Sequence, residues 1–161
     1  MLVFLSIFLL TFTAFGETFD FTLEDIDGNL FTLSDNLGKG PVILCFWATW
    51  CTPCKQELPH LQKLHEKYAE KGLKLISISE DSPKSQSKIK PFVRSKRLTF
   101  QTLLDPNGEV LRLFQGKALP YRVIFNRKGE IVESHQGYNP GDEKVLEAEI
   151  IKLLGVEITN E

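Results

Sequence analysis

The sequence predicts one small α/β domain, a central mixed β-sheet flanked by helices and entered through an N-terminal β-hairpin. Three observations predict it. The run VILCFW at residues 42–47 is continuously apolar and rich in strand formers, as in a strand covered on both faces. Immediately after it, apolar residues recur every three or four positions, so the period changes from strand to helix. Near the end, two strand-like runs flank a short turn and precede an amphipathic helix, which adds a hairpin to the alternating strands and helices.

The elements follow in order. Residues 19–35, FDFTLEDIDGNLFTLSD, alternate apolar and polar on both sides of Asp27-Gly28, so a hairpin turns there, with Phe19, Phe21, Leu23 and Leu30 as its core contacts. A turn from Gly38 to Pro41 leads into the strand at 42–47. Residues 52–71 read as a long helix with Leu58, Leu61, Leu64 and Tyr68 on one face and Gly72 as its stop. LKLISIS at 73–79 is a second strand. Residues 82–97 carry Lys84, Lys88, Lys90, Arg94, Lys96 and Arg97, a solvated helix that Pro91 should kink or divide. A strand at 100–105, a turn at 106–108 and a short helix at 109–114 come next. Strands at 121–125 and 130–134 form the second hairpin, and Val145, Leu146, Ile150, Leu153 and Leu154 supply the inner face of a last helix at 142–154.

At 161 residues, 42% hydrophobic and 25% charged, the chain has the composition of a single soluble globular domain. Its 19 Lys and Arg against 21 Asp and Glu, a formal charge of -2, provide no general attraction for nucleic acid or anionic lipid. The first sixteen residues, MLVFLSIFLLTFTAFG, have no charged side chain. They read as a signal peptide cleaved after Gly16 or as an uncleaved membrane anchor, with the folded domain at residues 17–161. The segment is short for a span of about 20 apolar residues. Either reading puts the domain outside the cytoplasm, in the periplasm or anchored facing it, and membrane association would run through residues 1–16 alone.

Three cysteines are too few for a stapled scaffold, and two of them lie in Cys51-Thr52-Pro53-Cys54 at the strand-to-helix junction. The unpaired amides and dipole of a helix's first turn favour a thiolate there. Cys51, at the outer position, is the expected nucleophile, and Cys54 would resolve the resulting mixed disulfide. Pro53 suits a first turn, where its missing N–H costs no helical bond. A zinc site would have to recruit His60 and His65, which lie too close together along the following helix for the usual folded-back arrangement. The chemistry calls for no metal and no cofactor.

The stretch VILCFWATWCTPCKQELP resembles the exported or membrane-associated thioredoxin-like thiol:disulfide oxidoreductases of bacteria, the TlpA/ResA-like group related to AhpC/TSA proteins. The likeness extends through the first hairpin, LLDPNG, Leu119-Pro120 and IFNRKGEIV. It implies a thioredoxin-like fold and reduction of protein disulfides, with cytochrome c maturation as one setting, a protein thiol or disulfide as substrate and an exported or membrane-associated electron donor. It implies that Trp50 covers the active site beside Thr52 and Pro53, that Trp47 packs inward, and that Pro59 matches the family's helix-kinking proline. Leu119-Pro120 would be a cis bond that presents main chain to the substrate. Tyr121 departs from the small hydroxyl residue often found after this proline. Cys45 stands where thioredoxins place a buried aspartate and reads as an apolar filler, so Glu80 is expected to take the proton of Cys54. The alternative for Glu80 is a solvated loop acid beside Asp81. A thiol peroxidase would carry a proline and threonine shortly before its cysteine, which neither Cys51 nor Cys54 has, and a redox-inactive binding domain would not need the pair.

Overall fold

The computed structural model describes residues 19–155, and the predicted leader at 1–16 lies outside them. Strands β1 (Thr22–Glu24) and β2 (Leu30–Thr32) form the first hairpin. The chain continues through β3 (Val42–Trp47), α1 (Thr52–Tyr68), β4 (Lys74–Ser79), α2 (Ile89–Ser95) and β5 (Gln101–Leu104). It ends with α3 (Glu109–Leu113), β6 (Tyr121–Phe125), β7 (Ile131–Gln136) and α4 (Asp142–Leu154). The main sheet has the order β5-β4-β3-β6-β7. β3 is parallel to β4 and antiparallel to β6, so the sheet is mixed and its central strand is buried at all six positions. This is the predicted thioredoxin-like architecture.

Alternation along β3 divides the core. Ile43, Cys45 and Trp47 face a layer made by α1, α2 and α4, where Leu58, Leu61, Leu64, Ile89, Leu146 and Ile150 pack. Val42, Leu44 and Phe46 face the hairpin and α3, where Phe31, Leu33, Val110 and Phe114 pack. Each fully buried Leu or Ile contributes about 1.5–3 kcal/mol relative to exposure, so both layers hold the sheet. Among the described residues, no helix is long and apolar enough to cross a membrane.

Three local expectations are corrected. Leu30 is 72% exposed and Phe31 takes the buried place. The pairing of Leu23 with Phe31 and of Glu24 with Leu30 sets the strand phase, and a one-residue difference in phase moves a side chain to the other face. That phase is held by the turn, where the Asp25 carboxylate accepts from the Asp27 and Asn29 amides. Val145 is 70% exposed, while Leu146, Ile150 and Leu154 form the inner face of α4. Pro91 does not divide a helix, because α2 begins only at Ile89 and the proline falls in its first turn, where a missing N–H breaks no bond.

Candidate active site

The chain leaves β3 at Trp47, crosses residues 48–50 and enters α1 at Cys51, the N-cap residue. Cys51 and Cys54 are joined in a disulfide with their Cα atoms 5.3 Å apart. The Cys51 sulfur accepts from the Cys54 amide at 3.3 Å, so a first-turn N–H points at the outer sulfur. Cys51 is 5% exposed and Cys54 fully buried. Thr52 and Pro53 fill the first turn, and Trp50 stands 63% exposed beside them.

Residues 48–50 are anchored by Asp81, which is fully buried. Its carboxylate accepts from the Thr49 amide at 2.8 Å, the Thr49 hydroxyl at 2.6 Å and the Ser79 hydroxyl at 2.9 Å. The Leu119-Pro120 bond is cis. It lies just before β6, and because Tyr121 pairs with Phe46 it reaches the sheet edge from which β3 leads into the cysteines. Leu119 packs against the core cluster that contains Cys51 and Cys54.

Behind the pair, a polar row crosses the sheet in register. Thr102, Ser77, Cys45, Arg122 and His135 are successive cross-strand partners on β5, β4, β3, β6 and β7. Glu57 meets this row from α1. Its carboxylate is ion-paired with the Arg122 guanidinium and accepts from the Cys45 thiol at 3.6 Å. Glu57 is 1% and Arg122 3% exposed. Burial raises the Glu57 carboxyl above its ordinary range, against the opposing pull of Arg122. Burial, and then the Glu57 charge, push the Cys45 thiol well above its ordinary range. Cys45 is therefore buried as expected, but as a hydrogen-bond donor.

Glu80 occupies different surroundings. Its amide bonds to the Trp47 carbonyl at the active-site edge. Its carboxyl, however, turns to the first turn of α3, near Gly108 and Arg112. Burial and the neighbouring Asp105 carboxylate push it up to about 9. Since α3 packs on one face of the sheet and α1 on the other, the carboxyl that shares the layer of Cys54 is that of Glu57. The sequence carries a signal for it. Glu57 falls three residues after Cys54, on the same helical face, while Arg122 interrupts the apolar run YRVIF.

Residues 16–134 match the AhpC/TSA family. The thiol-disulfide oxidoreductase ResA of Bacillus thuringiensis subsp. konkukian is 33% identical over 121 residues, covering 75% of this chain and 68% of that one. ResA of Halalkalibacterium halodurans is 35% identical over 121 residues, covering 75% and 67%. Among solved structures, a chain described as a thiol:disulfide interchange protein DsbE, from Chlorobium tepidum, superimposes with a TM-score of 0.77 at 32% identity, covering 84% of this chain and 94% of that one. StoA from Bacillus subtilis gives a TM-score of 0.65 at 29% identity, covering 80% and 94%.

Proposed function

The chain belongs to the AhpC/TSA family and is a thiol:disulfide oxidoreductase, and from that premise we propose that it reduces protein disulfides outside the cytoplasm through Cys51 and Cys54. One observation carries the reading: the cysteine pair caps α1 at the same sheet edge as the cis Leu119-Pro120 bond. In the dithiol enzyme, the Cys54 amide and the α1 dipole favour a Cys51 thiolate. That thiolate attacks one sulfur of a substrate disulfide, releasing the other as a thiolate and leaving a mixed disulfide on Cys51. Cys54 then gives up its proton and attacks the Cys51 sulfur, forming the Cys51–Cys54 bond and releasing the second substrate thiolate, which takes up a proton from water. Two electrons pass to the substrate, and an exported or membrane-associated dithiol donor restores the pair.

The main chain of Leu119 offers a short strand edge to the substrate, and Trp50 with Thr52 and Pro53 forms the surface around the outer sulfur. We assign the proton of Cys54 to Glu57. It lies one turn further along the same helical face, in the same buried layer, whereas the Glu80 carboxyl lies against α3. Export is assigned to residues 1–16, as a cleaved signal or an anchor, and cytochrome c maturation is the setting that the family resemblance supplies.

The test combines insulin-disulfide reduction, hydrogen peroxide consumption and trapping. A Cys54→Ser enzyme should accumulate a mixed disulfide through Cys51, and Cys51→Ser should abolish exchange. A trapped partner on Cys45, or peroxide consumption without disulfide reduction, would reject the assignment. Intact mass in the native host should give an N-terminus near Glu17 if the leader is cleaved, and a cytoplasmic product starting at Met1 would contradict export.

A further inference from the structure

In the buried ion pair between α1 and β6, Glu57 takes part in the exchange chemistry and Arg122 does not, yet Arg122 ties the two halves of the site together. Arg122 follows the cis Leu119-Pro120 bond by two residues, and Glu57 follows Cys54 by three. Their side chains meet, almost fully buried, on the face of the sheet that carries Cys45. A carboxylate is stable in such a place only with a partner, because burial favours its neutral form.

We propose that Arg122 is a positioning residue for the resolving step: by pairing with one oxygen of Glu57 it keeps that carboxyl ionised and aims the other oxygen at the space between β3 and the Cys54 turn. The proposal rests on Glu57 as the proton acceptor. The pairing leaves Oε1 engaged by Arg122 and Oε2 facing the Cys45 thiol. Cys45 is a weak donor that can yield when a proton arrives. Arg suits this task because its guanidinium stays charged throughout the working range. Its cross-strand neighbours, Cys45 and His135, complete the wall behind the acid.

The groups around Glu57 define what else could set its protonation. Cys54 lies on α1, Cys45 on β3, Arg122 on β6 and His135 on β7. Tyr138 follows β7, and its phenol is committed to Glu143 at 2.9 Å. His135 is 3.5 Å from Asp142. Arg122 is the group ion-paired with the Glu57 carboxylate.

Without the guanidinium, the Glu57 carboxyl would take up a proton at a higher pH, and it would accept one from Cys54 only over a correspondingly higher pH range. The transfer itself moves a single proton from the Cys54 sulfur to Glu57, and the resulting thiolate attacks Cys51. Glu57 then returns its proton to water or to the departing substrate thiolate.

The experiment is stopped-flow reaction of the reduced full domain with dithiobis(nitrobenzoate) across pH. The first nitrothiobenzoate released reports attack by Cys51, and the second reports resolution by Cys54. In Arg122→Met the rising limb of the second phase should move to higher pH by on the order of one unit, with the first phase and the substrate KM unchanged. Arg122→Lys, which keeps the charge, should hold the limb near its wild-type position. Glu57→Gln should remove the limb and slow the second phase by about 100-fold. If Glu57→Gln leaves the second phase intact, the proton-acceptor reading fails and this proposal with it. If Glu57→Gln acts as expected while Arg122→Met only lowers thermal stability and its limb coincides with wild type, the Arg122 proposal alone is overturned. Should Arg122→Met not fold, carbon-13 titration of Glu57 in the reduced wild-type enzyme decides: a neutral carboxyl at pH 7 overturns the proposal.

Discussion

Replacing Asp81 probes how the segment carrying Trp50 and Cys51 is held. The carboxylate accepts three hydrogen bonds at 2.6–2.9 Å. In Asp81→Ala the half-buried Thr49 hydroxyl can turn to water, but the Thr49 amide and the buried Ser79 hydroxyl lose their acceptor. Bonds to a charged acceptor contribute about 1.5–3 kcal/mol each, so two such losses should cost about 3–6 kcal/mol. That is a large share of the roughly 5–15 kcal/mol that holds a domain folded. Asp81→Asn should behave differently. An amide oxygen in the place of Oδ2 keeps the Thr49 amide and Ser79 bonds, and the amide nitrogen can donate to a reoriented Thr49 hydroxyl. Only the charge is lost, at about 1–2 kcal/mol. Urea unfolding of the oxidised protein measures both, with equal m-values required for the comparison. Insulin reduction should fall in the same order, Ala below Asn below wild type. A cost under 1 kcal/mol for Ala, or equal costs for Ala and Asn, would refute the claim that acceptor geometry at Asp81 holds the loop.

The other predictions concern titration and packing. Glu80 is held up to about 9 when folded, so the native state binds its proton more tightly than the unfolded chain. Its stabilising contribution is complete below the ordinary carboxyl range and is lost as pH rises through about 9. The wild-type urea midpoint should therefore decline over that interval and the Glu80→Gln midpoint should not, and parallel curves would count against the buried setting. In the same variant, alkylation of Cys51 and Cys54 across pH should superimpose on wild type, because Glu80 stands against α3; a shifted Cys54 curve would return Glu80 to the catalytic group. The reduced native protein should titrate two thiols and the denatured protein three, since burial and Glu57 keep Cys45 protonated. Leu61→Ala, at a position 1% exposed between α1 and the sheet, should cost about 2–5 kcal/mol in unfolding free energy without moving the cysteine pH profile.

The elements and the chemistry were legible along the chain, because both were written in short windows. The six-residue apolar run and the helical period after it locate β3 and α1, and their junction locates the cysteines. The Asp27-Gly28 turn and the short connection between the strands predicted at 121–125 and 130–134 locate the hairpins. What escaped the sequence was phase and partnership. Whether Leu30 or Phe31 faces inward depends on how many residues the turn consumes, and a local alternation reads equally well in either phase. The larger difference lies behind the active site. Glu57 looks like one more acid in a charged helix and Arg122 like an interruption in a strand, and they lie 65 positions apart. Only the antiparallel register of β3 with β6 and the packing of α1 across them bring the two charges together, and only then does either have a reason to be buried. Glu80 shows the converse. Its place at the end of β4 was legible, but the face its carboxyl takes was not, because the sheet's alternation turns it toward α3 and Asp105, away from Cys54.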